Sequence, residues 1–329
     1  MLPNGKAGRP MILVTGATGF VGRHLVRRLC SAGQTVRCLL RPGSPGIEWL
    51  HSQPVEIVAG HLVEAGAVAA ACQGVRRIVH LAAPIHEGRD AVMARVDRDG
   101  MAQLIAGARA AGIERVLMVS PLGTGSSSTL PFLQSRGRAE EMLRSSGVPF
   151  VILQSSLVFG LGDRLISGTI RLLQRMGLVL IPGTGKTMLQ PIWVGDVVSC
   201  LLRSLDGEEF LDRTIPIGGP QHLTYEEIVD QVARMLNIPR VKVHLSRGAA
   251  AWASRLLEGV GLNPFLGYRH LEMLEVGTVT ALDAVRRSFG FQPMPLIEGV
   301  AYHLAPRREM EAPWLPSGAE RGSRDRHQG

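Results

Sequence analysis

The stretch MILVTGATGFVG, residues 11–22, decides the fold. It opens with an unbroken apolar run, which predicts a strand buried on both faces. From residue 20 the apolar side chains recur at helical spacing, which predicts a helix over residues 20–32. A strand that passes into a helix through a short turn is the opening half of a β–α–β unit.

The same alternation of strand and helix continues through the first half of the chain. Further strand-like runs lie at 35–40, 55–60, 76–83, 115–120 and 149–154, and helical candidates lie near 64–73, 90–112 and 132–146. Such repeats connect by right-handed crossovers into a parallel sheet covered by helices on both faces. We therefore expect an α/β chain with a Rossmann-type, doubly wound parallel sheet.

Three glycines, Gly16, Gly19 and Gly22, fill the turn between the first strand and the first helix. Without a Cβ, the backbone can turn sharply and come close to a pyrophosphate, and the helix N-terminus offers N–H groups and partial positive charge to the anion. Three glycines alone are a weak signal, but the strand before them and the helix after them predict a dinucleotide site. The predicted cofactor contacts on this turn are Gly16, Thr18, Gly19, Phe20, Val21 and Gly22.

The choice of dinucleotide depends on the end of the second strand. A site for NAD(H) usually has an acidic residue there, which accepts hydrogen bonds from the ribose hydroxyls. Here the strand ends in Arg41, and no Asp or Glu occurs between Gly33 and Glu48. Because arginine pairs with a phosphate through its planar fork, Arg41 favours NADP(H). NAD(H), with Arg41 as an ordinary exposed loop residue, is the alternative.

After about residue 155 the strand–helix pattern becomes irregular. Helices are expected near 194–205, 224–236, 247–259 and 281–288, which predicts a smaller, interleaved C-terminal α/β domain. The expected divisions are a flexible N-terminus at 1–10, a dinucleotide-binding domain at 11–155 completed by 194–217, a smaller substrate or partner domain at 156–193 and 218–304, and a mobile tail at 305–329.

Composition limits the class of protein. The 329 residues are 45% hydrophobic and 19% charged, which is typical of a soluble globular chain. The formal charge is +8, and nearly all of the positive charge is arginine. Two interpretations stay open: an Arg-rich proteome, or affinity for an anionic partner such as a nucleotide phosphate, an acidic protein or a membrane surface. No recognised nucleic-acid module supports a nucleic-acid target.

Cysteine usage and hydropathy predict the compartment. The four cysteines form no C-x-x-C pair and have no nearby histidine at ligand spacing, so no metal site is predicted and a reduced cytoplasm fits. No uncharged apolar run approaches the ~20 residues that a transmembrane helix needs, and no signal peptide is visible. We expect a cytoplasmic protein, soluble or peripheral to a membrane, without a transmembrane segment.

Several motifs resemble one family. TGATGFVG (15–22) is similar to the glycine motif of the extended and atypical short-chain dehydrogenase/reductases, the superfamily of the NAD-dependent epimerases and dehydratases. AGHL (59–62) resembles its element at the adenine, and HLAAP (80–84) resembles its loop under the cofactor. The segment 217–237 resembles the subfamily of the nucleotide-binding accessory subunit of respiratory complex I, which implies a protein complex as a partner. By this resemblance His61, Leu62, Ala82 and Ala83 are further cofactor contacts.

The resemblance fails at the catalytic positions. The family carries Tyr-x-x-x-Lys on a helix, in which the Tyr transfers a proton and the Lys holds the nicotinamide ribose. FLQSRGRAE (132–140) fits the longer pattern Y-x-x-S-K-x-x-x-E with Phe132 for Tyr and Arg136 for Lys, whereas Ser135 and Glu140 are kept. Phenylalanine has no proton to give. Arg136 could still bind the ribose.

Other departures from the family pattern also argue against the usual catalytic machinery. His61 replaces an adenine-contacting Asp of the family, and Gln154 and Ser155 stand where many relatives have Arg-Pro. No Tyr-x-x-x-Lys occurs around any of the three tyrosines, which are Tyr225, Tyr268 and Tyr302.

A substitute acid would have to come from elsewhere. His86 follows the fourth strand and Ser120 ends the fifth, on the side where a substrate would lie. An ordinary loop histidine, and a structural or cofactor hydrogen bond from Ser120, are the competing interpretations. The segment PGTGKT (182–187) lacks the first glycine of a phosphate-binding Walker motif and is interpreted as a turn.

Two functions remain after this comparison. The first is an NADP(H)-binding protein with a structural, assembly or redox-sensing task, which the missing Tyr–Lys pair favours. The second is an NAD(P)-dependent reductase, epimerase or dehydratase that acts on a carbonyl or nucleotide-sugar substrate through a non-standard acid.

Overall fold

Seven parallel strands form the central sheet of the computed structural model, which describes residues 10–83, 90–125, 128, 130–246, 248–249, 274 and 276–304. In chain order the strands are β1 (Met11–Thr15), β2 (Val36–Leu40), β3 (Val55–Ala59), β4 (Val75–His80), β5 (Arg115–Pro121), β6 (Phe150–Ser155), β7 (Val158–Phe159), β8 (Leu178–Pro182), β9 (Met188–Leu189), β10 (Ile192–Trp193), β11 (Arg213–Ile217), β12 (Leu223–Thr224) and β13 (Val241–Leu245). The large sheet has the order β11-β6-β5-β4-β1-β2-β3. The predicted Rossmann-type sheet is confirmed.

Helices cover both faces of this sheet and build the rest of the chain. They are α1 (Phe20–Ser31), α2 (Ile47–His51), α3 (Ala65–Cys72), α4 (Asp90–Ala110), α5 (Pro131–Arg144), α6 (Leu165–Met176), α7 (Val194–Asp206), α8 (Tyr225–Leu236), α9 (Ala284–Phe289) and α10 (Leu296–Leu304). A short 3₁₀ turn, Glu208–Phe210, follows α7. The predicted helix at 247–259 lies almost wholly outside the described residues, and the predicted tail at 305–329 lies wholly outside them.

Strands β1 and β5 in the middle of the sheet are largely buried on both sides, whereas the edge strands β3 and β11 are partly exposed. Ile12 and Val14 of β1 point into a core shared with α1 and α7, whereas Leu13 points into a second core with α3, α4 and α5. A third core joins α6, α8 and α10 around β8. This third core belongs to the smaller C-terminal part, whose short strands pair as β7 with β10, β9 with β12 and β8 with β13.

The chain returns from this smaller part to the large sheet. Helix α7 packs in the same core as α1, and β11 then pairs in parallel with β6, with Arg213 beside Val151 and Ile217 beside Ser155. The C-terminal part is therefore interleaved with the sheet rather than appended to it. The exact division at 11–155 and 156–304 stays a prediction.

Arginines hold the C-terminal ends of four helices. Arg37 donates to carbonyls at the end of α3, Arg109 to the Ser146 carbonyl just beyond α5, Arg115 to carbonyls at the end of α7, and Arg203 to the last carbonyl of α9. The last carbonyls of a helix have no partner within it and carry partial negative charge, so a cation there is favourable. A considerable part of the arginine in this chain thus serves the scaffold.

Candidate functional site

The reversal of strand order on either side of β1 places the candidate site. From β1 the chain runs outward through β2 and β3, and it then resumes at β4 on the other side of β1. In such sheets a crevice opens beyond the carboxyl ends of the strands where the order reverses, and ligands bind in it. The glycine turn after β1, residues 81–83 after β4 and Ser120 near the end of β5 all lie at this edge.

Two of the three glycines are required by the fold itself. Gly16 has a φ of +74°, and a Cβ on it would lie 2.6 Å from the backbone nitrogen of Ala82. A Cβ on Gly22 would lie 2.1 Å from the carbonyl oxygen of Gly16. Any side chain at either position would separate β1, α1 and the loop after β4.

Gly19 differs from the other two glycines. It is exposed, its φ of −71° suits any residue, and the nearest atom to an added Cβ is the carbonyl oxygen of Gly16, at 3.1 Å. The space above Gly19 is therefore open, which is what a backbone that a pyrophosphate approaches requires. Gly19 is also the N-cap of α1, with no side-chain hydrogen bond to the helix and no acidic residue in the first turn. The positive end of α1 thus faces the crevice uncapped, and these residues fit a dinucleotide.

The adenine side of the crevice carries Arg41 and His61. Arg41 is exposed at the start of a turn that closes through hydrogen bonds from the amide and hydroxyl of Ser44 to its carbonyl, at 3.1 and 2.7 Å. His61 starts the turn between β3 and α3, where its Nδ1 accepts from the amide of Val63 at 3.3 Å and its own amide donates to Glu64. Leu62 behind it is buried. In the neutral ring this arrangement leaves the proton on Nε2.

Phe132 sits in an apolar cluster. It is 6% exposed and packs with Leu133, Leu130 and Val276 at the start of α5. No group with a dissociable proton belongs to this cluster. The side chain at the family's tyrosine position is therefore a packing residue.

Arg136 is sealed into the protein. It is 1% exposed, and its Nη1 lies 3.1 Å from an Asp97 carboxylate oxygen and 3.2 Å from the carbonyl oxygen of Ala82. Its Nη2 donates to the carbonyl of Val119 at 2.8 Å. The hydroxyl of Ser135 donates to the other Asp97 oxygen at 2.8 Å. The guanidinium thus joins α4, α5, the loop after β4 and strand β5. A ribose contact through Arg136 stays a prediction.

Ser120 faces the same helix. Val116 and Met118 on β5 share a core with Ala139 and Leu143 of α5, and the alternation along a strand turns Ser120 to that side, toward the start of α5. Its hydroxyl oxygen is fully buried and has no hydrogen-bond partner among the residues that the structure describes. A buried hydroxyl without a partner is unusual and calls for a specific reason.

His80 ends β4 beside the glycine turn and was not a predicted site residue. Its Nδ1 and the Thr15 hydroxyl lie 2.8 Å apart. Burial, helped by the nearby charge of Arg136, lowers the pKa of His80 to about 3, so the imidazole is neutral at physiological pH. Its position in HLAAP was the signal for it, whereas nothing in the sequence marks Asp97 as the partner of Arg136.

Glu140 is the centre of a second buried network. It is 1% exposed and accepts hydrogen bonds from Thr124 at 2.6 Å and from Gln154 at 2.9 Å, with Arg144 one turn further along α5 as its ion-pair partner. The cation beside Glu140 is Arg144, which lies on the same helix.

The smaller part of the chain reaches the glycine turn through the loop before α6. His24 on α1 contacts the carbonyl oxygen of Leu161 through Nε2 at 2.8 Å, and its ring meets the edge of Phe20 at 5.6 Å. Asp163 then fixes the start of α6 by accepting from the amides of Ile166 and Ser167, at 2.7 and 3.2 Å. This loop therefore closes one side of the crevice.

Some predicted residues cannot be placed. His86 lies outside the described residues, as do Ser126, Ser127 and Thr129. Ala82 and Ala83 are described and partly buried beside Gly16. Within the described part of the chain, no group of three or more His, Cys, Asp or Glu side chains could hold a metal ion. In that same part, no helix is long and apolar enough to cross a lipid bilayer.

Comparison with known proteins agrees with this geometry. Residues 16–159 match a family described as NAD(P)H-binding. The chain therefore carries an NAD(P)-binding Rossmann domain, and the nicotinamide dinucleotide expected from the glycine turn is confirmed at that level.

Individual relatives show more specifically which proteins this chain is similar to. The chain is 24% identical over 316 residues to NADH dehydrogenase (ubiquinone) 1 alpha subcomplex subunit 9, mitochondrial, of Rattus norvegicus, which covers 90% of this chain and 81% of that protein. It is 26% identical to the photosystem II assembly factor Ycf39 of Guillardia theta, over 86% of this chain and 89% of that one. It is 32% identical to a ceramide reductase of Caulobacter vibrioides, over about half of each chain (51% and 52%). The resemblance to the complex I accessory subunit and its atypical short-chain dehydrogenase/reductase relatives is confirmed.

Solved structures support the fold alone. A UDP-glucose 4-epimerase of Thermotoga maritima superposes with a TM-score of 0.72 at 18% identity, over 91% of this chain and 99% of that one. An NADPH-dependent quinone oxidoreductase of Escherichia coli superposes with a TM-score of 0.70 at 18% identity, over 89% and 99%.

Proposed function

We propose that this protein binds NADP(H) as a structural or assembly component and does not reduce carbonyl compounds through the family's Tyr–Lys mechanism. The observation that carries the proposal is the burial of Phe132 and Arg136 in two separate sets of contacts. Phe132 packs against apolar neighbours, and Arg136 is held by Asp97 and two carbonyls.

The chemistry of reduction supports this proposal. When hydride reaches a carbonyl carbon, negative charge develops on the oxygen, and a positioned acid contributes about 10²–10⁴-fold to that step. Phe132 cannot supply a proton. An arginine does not act as a proton donor in proteins, and Arg136 has no phenol beside it to activate. A nicotinamide dinucleotide would supply hydride chemistry here, but the chain offers no acid at the usual place.

The binding contacts that we propose are the ones that fit the crevice. Gly16, Gly19 and Gly22 shape the pyrophosphate turn, residues 82 and 83 lie under the nicotinamide half, and His61 and Leu62 lie at the adenine. Arg41 supports NADP(H) over NAD(H), because it is the charged group at the end of β2 where a 2′-phosphate would lie.

A role beside a larger assembly rests on the relatives. One is named as a subunit of a respiratory NADH dehydrogenase and another as a photosystem II assembly factor. We propose that this protein likewise attaches to a protein complex at the periphery of a membrane. A ligand present at a hundred times its Kd adds about 2.7 kcal/mol to folding stability, so a bound nucleotide alone could maintain such a component.

One observation favours a second function, that of a reductase. The buried Ser120 hydroxyl has no hydrogen-bond partner within the described part of the chain, and it faces the start of α5, where the proposed nicotinamide half would lie. A relative named as a ceramide reductase matches about half of this chain. In that case Ser120 would hold the substrate oxygen, and the proton would come from a group not yet placed, such as His86.

Retained nucleotide and turnover distinguish the two functions. The purified protein is examined by fluorescence for bound NADPH and is then mixed with aldehydes, ketones, quinones and nucleotide sugars. We expect bound NADPH that persists unoxidised. Rapid NADPH oxidation would reject the binding function in favour of the reductase if Ser120→Ala or His86→Ala abolishes it. Gln134→Ala on α5 is the control variant and should leave that oxidation intact.

A further inference from the structure

A second arginine, Arg23, lies between the glycine turn and the Arg41 turn. It stands in the first turn and a half of α1, and its Nε donates to the carbonyl of Thr18 at 2.8 Å. This hydrogen bond folds the side chain back over the glycine turn instead of letting it extend into solvent. The guanidinium is nevertheless exposed, so it remains accessible to a ligand.

The other side of the Arg23 guanidinium rests on Gly46. A Cβ on Gly46 would lie 2.4 Å from Nη2 and 3.2 Å from the central carbon of the guanidinium. The φ of Gly46 is +81°, a conformation that few residues other than glycine adopt, so the backbone favours glycine there, and the missing side chain leaves room for the guanidinium. The loop 41–46 therefore begins with one arginine and ends against another.

This position coincides with that of one chemical group of the expected ligand. The pyrophosphate belongs at Gly19, and the adenosine ribose belongs between that turn and the end of β2. Arg23 contacts the carbonyl of Thr18, the residue before Gly19, and Arg41 stands at the end of β2. An anion on the ribose 2′-oxygen would have a guanidinium on each side.

Building on the proposed NADP(H) function, we propose that Arg23 and Arg41 together form the subsite for the 2′-phosphate. Each guanidinium offers several N–H donors in a plane, which suits a phosphate better than an ammonium does. Arg23 is already oriented by Thr18 and Gly46, so little side-chain freedom is lost when it binds. Arg41 provides positive charge for the phosphate, and Arg23 provides a guanidinium whose orientation is already fixed.

A purely structural Arg23 would have different consequences. It would hold the loop 41–46 against α1, in the way that Arg27, one turn later, contacts α2 by lying over the ring of Trp49 at 5.2 Å. Losing such a tether would weaken the binding of every adenine nucleotide to the same extent. Losing a phosphate contact would weaken the binding of only those nucleotides that carry the 2′-phosphate.

The test compares 2′,5′-ADP with 5′-ADP by titration calorimetry, with Arg23→Gln as the variant and Arg27→Gln as its control. We expect Arg23→Gln to lower the affinity for 2′,5′-ADP about tenfold, at the lower end of what hydrogen bonds to charged groups contribute. The affinity for 5′-ADP should stay within about twofold. Arg27→Gln should show no difference between the two ligands, and added salt should erode the 2′,5′-ADP advantage of the wild type.

The outcomes separate this inference from the proposed function. A wild type that prefers 2′,5′-ADP, together with equal losses for both ligands in Arg23→Gln, would overturn the role of Arg23 and leave the NADP(H) preference intact. A wild type that binds both ligands equally would overturn the NADP(H) preference itself.

Discussion

Asp196 should make the stability of this protein depend on pH in an unusual direction. It lies in the first turn of α7, is 7% exposed, and accepts a hydrogen bond from the amide of Met294 at 2.7 Å. Burial raises the pKa of its carboxyl from 3.8 to about 7, and the Met294 hydrogen bond offsets only part of that rise. At neutral pH about half of the folded molecules therefore carry a buried negative charge.

The sign and size of the pH effect on stability follow from the pKa values of Asp196 in the unfolded and folded states. The folded state holds the proton more tightly than the unfolded state, so this stabilisation is complete below pH 3.8 and is lost as the pH rises to about 7. A shift of about three units, at about 1.36 kcal/mol per unit, amounts to about 4 kcal/mol at most. Asp196→Asn keeps an oxygen for the Met294 amide and removes the charge. The variant should match the wild type near pH 4 and exceed its stability at pH 8.

Urea unfolding of both proteins between pH 4 and pH 8 measures this difference. Taking the difference removes other titrating groups, among them His80, whose pKa is lowered to about 3. The contribution of His80 is present above pH 6.5 and is lost as the pH falls toward 3, opposite to that of Asp196.

Asp163→Asn is the control for a buried carboxylate with a different environment. Burial raises the pKa of Asp163 as well, but its oxygens accept from three backbone amides and from the Ser167 hydroxyl. An amide group there would face donors, so this variant should be less stable than the wild type at pH 8. A stability difference for Asp196→Asn that stays constant with pH, or a wild type that is the more stable at pH 8, would refute the reasoning.

Three further predictions concern the site. Gly19→Val should fold with an unchanged Tm but bind NADPH at least about tenfold more weakly in calorimetry, because its side chain fills the open space of the crevice; equal affinity would remove the pyrophosphate from Gly19. Arg41→Ala should weaken NADPH more than NADH, and equal losses in a fluorescence titration would reject it as the selector. Arg136→Met should lower the free energy of unfolding, measured in urea, by about 3–5 kcal/mol, because Asp97 loses its buried cation. Adding Asp97→Asn should restore part of that loss. An unchanged free energy of unfolding in Arg136→Met would show that the pair is not structural.

The last of these predictions affects an obvious repair experiment. Restoring the family pattern with Phe132→Tyr and Arg136→Lys would exchange a fork that serves three acceptors for a single ammonium group. Reduced stability of that double variant is expected before any activity appears, so its Tm has to be measured alongside turnover.

The parallel sheet could be predicted from the sequence because its signals are local. The strands in the middle of the sheet are rich in apolar residues because most of their side chains are buried, and the glycine turn at 16–22 marks the first crossover. The helices near 194–205 and 224–236 carried the same kind of periodic signal and appear as α7 and α8.

Elements of the smaller part were missed where tertiary contacts decide the structure. No helix was predicted at α6, whose third to fifth residues are Ser167, Gly168 and Thr169, which favour a helix weakly. Its start is fixed by the Asp163 side chain, and its apolar face is buried against α8. Packing, not propensity, supplies the helix there.

The candidate site could likewise be predicted only in part from the sequence. The prediction that Phe132 and Arg136 stand at the family's Tyr and Lys positions comes from the sequence motif alone. The partner of Arg136 cannot, because Asp97 lies 39 residues earlier on another helix. The pairing of His80 with Thr15 spans 65 residues between neighbouring strands. Only the folded sheet brings these groups together.

The arginines at the helix ends have a consequence for how the whole molecule responds to its surroundings. A guanidinium stays protonated past pH 12, whereas a lysine at the same place would begin to lose its charge near pH 10.4. Arginine therefore suits the ends of α3, α5, α7 and α9, where a lasting positive charge favours the helix carbonyls. Among the described interior groups, His80 and Asp196 have shifted pKa values that make the stability of the fold depend on pH.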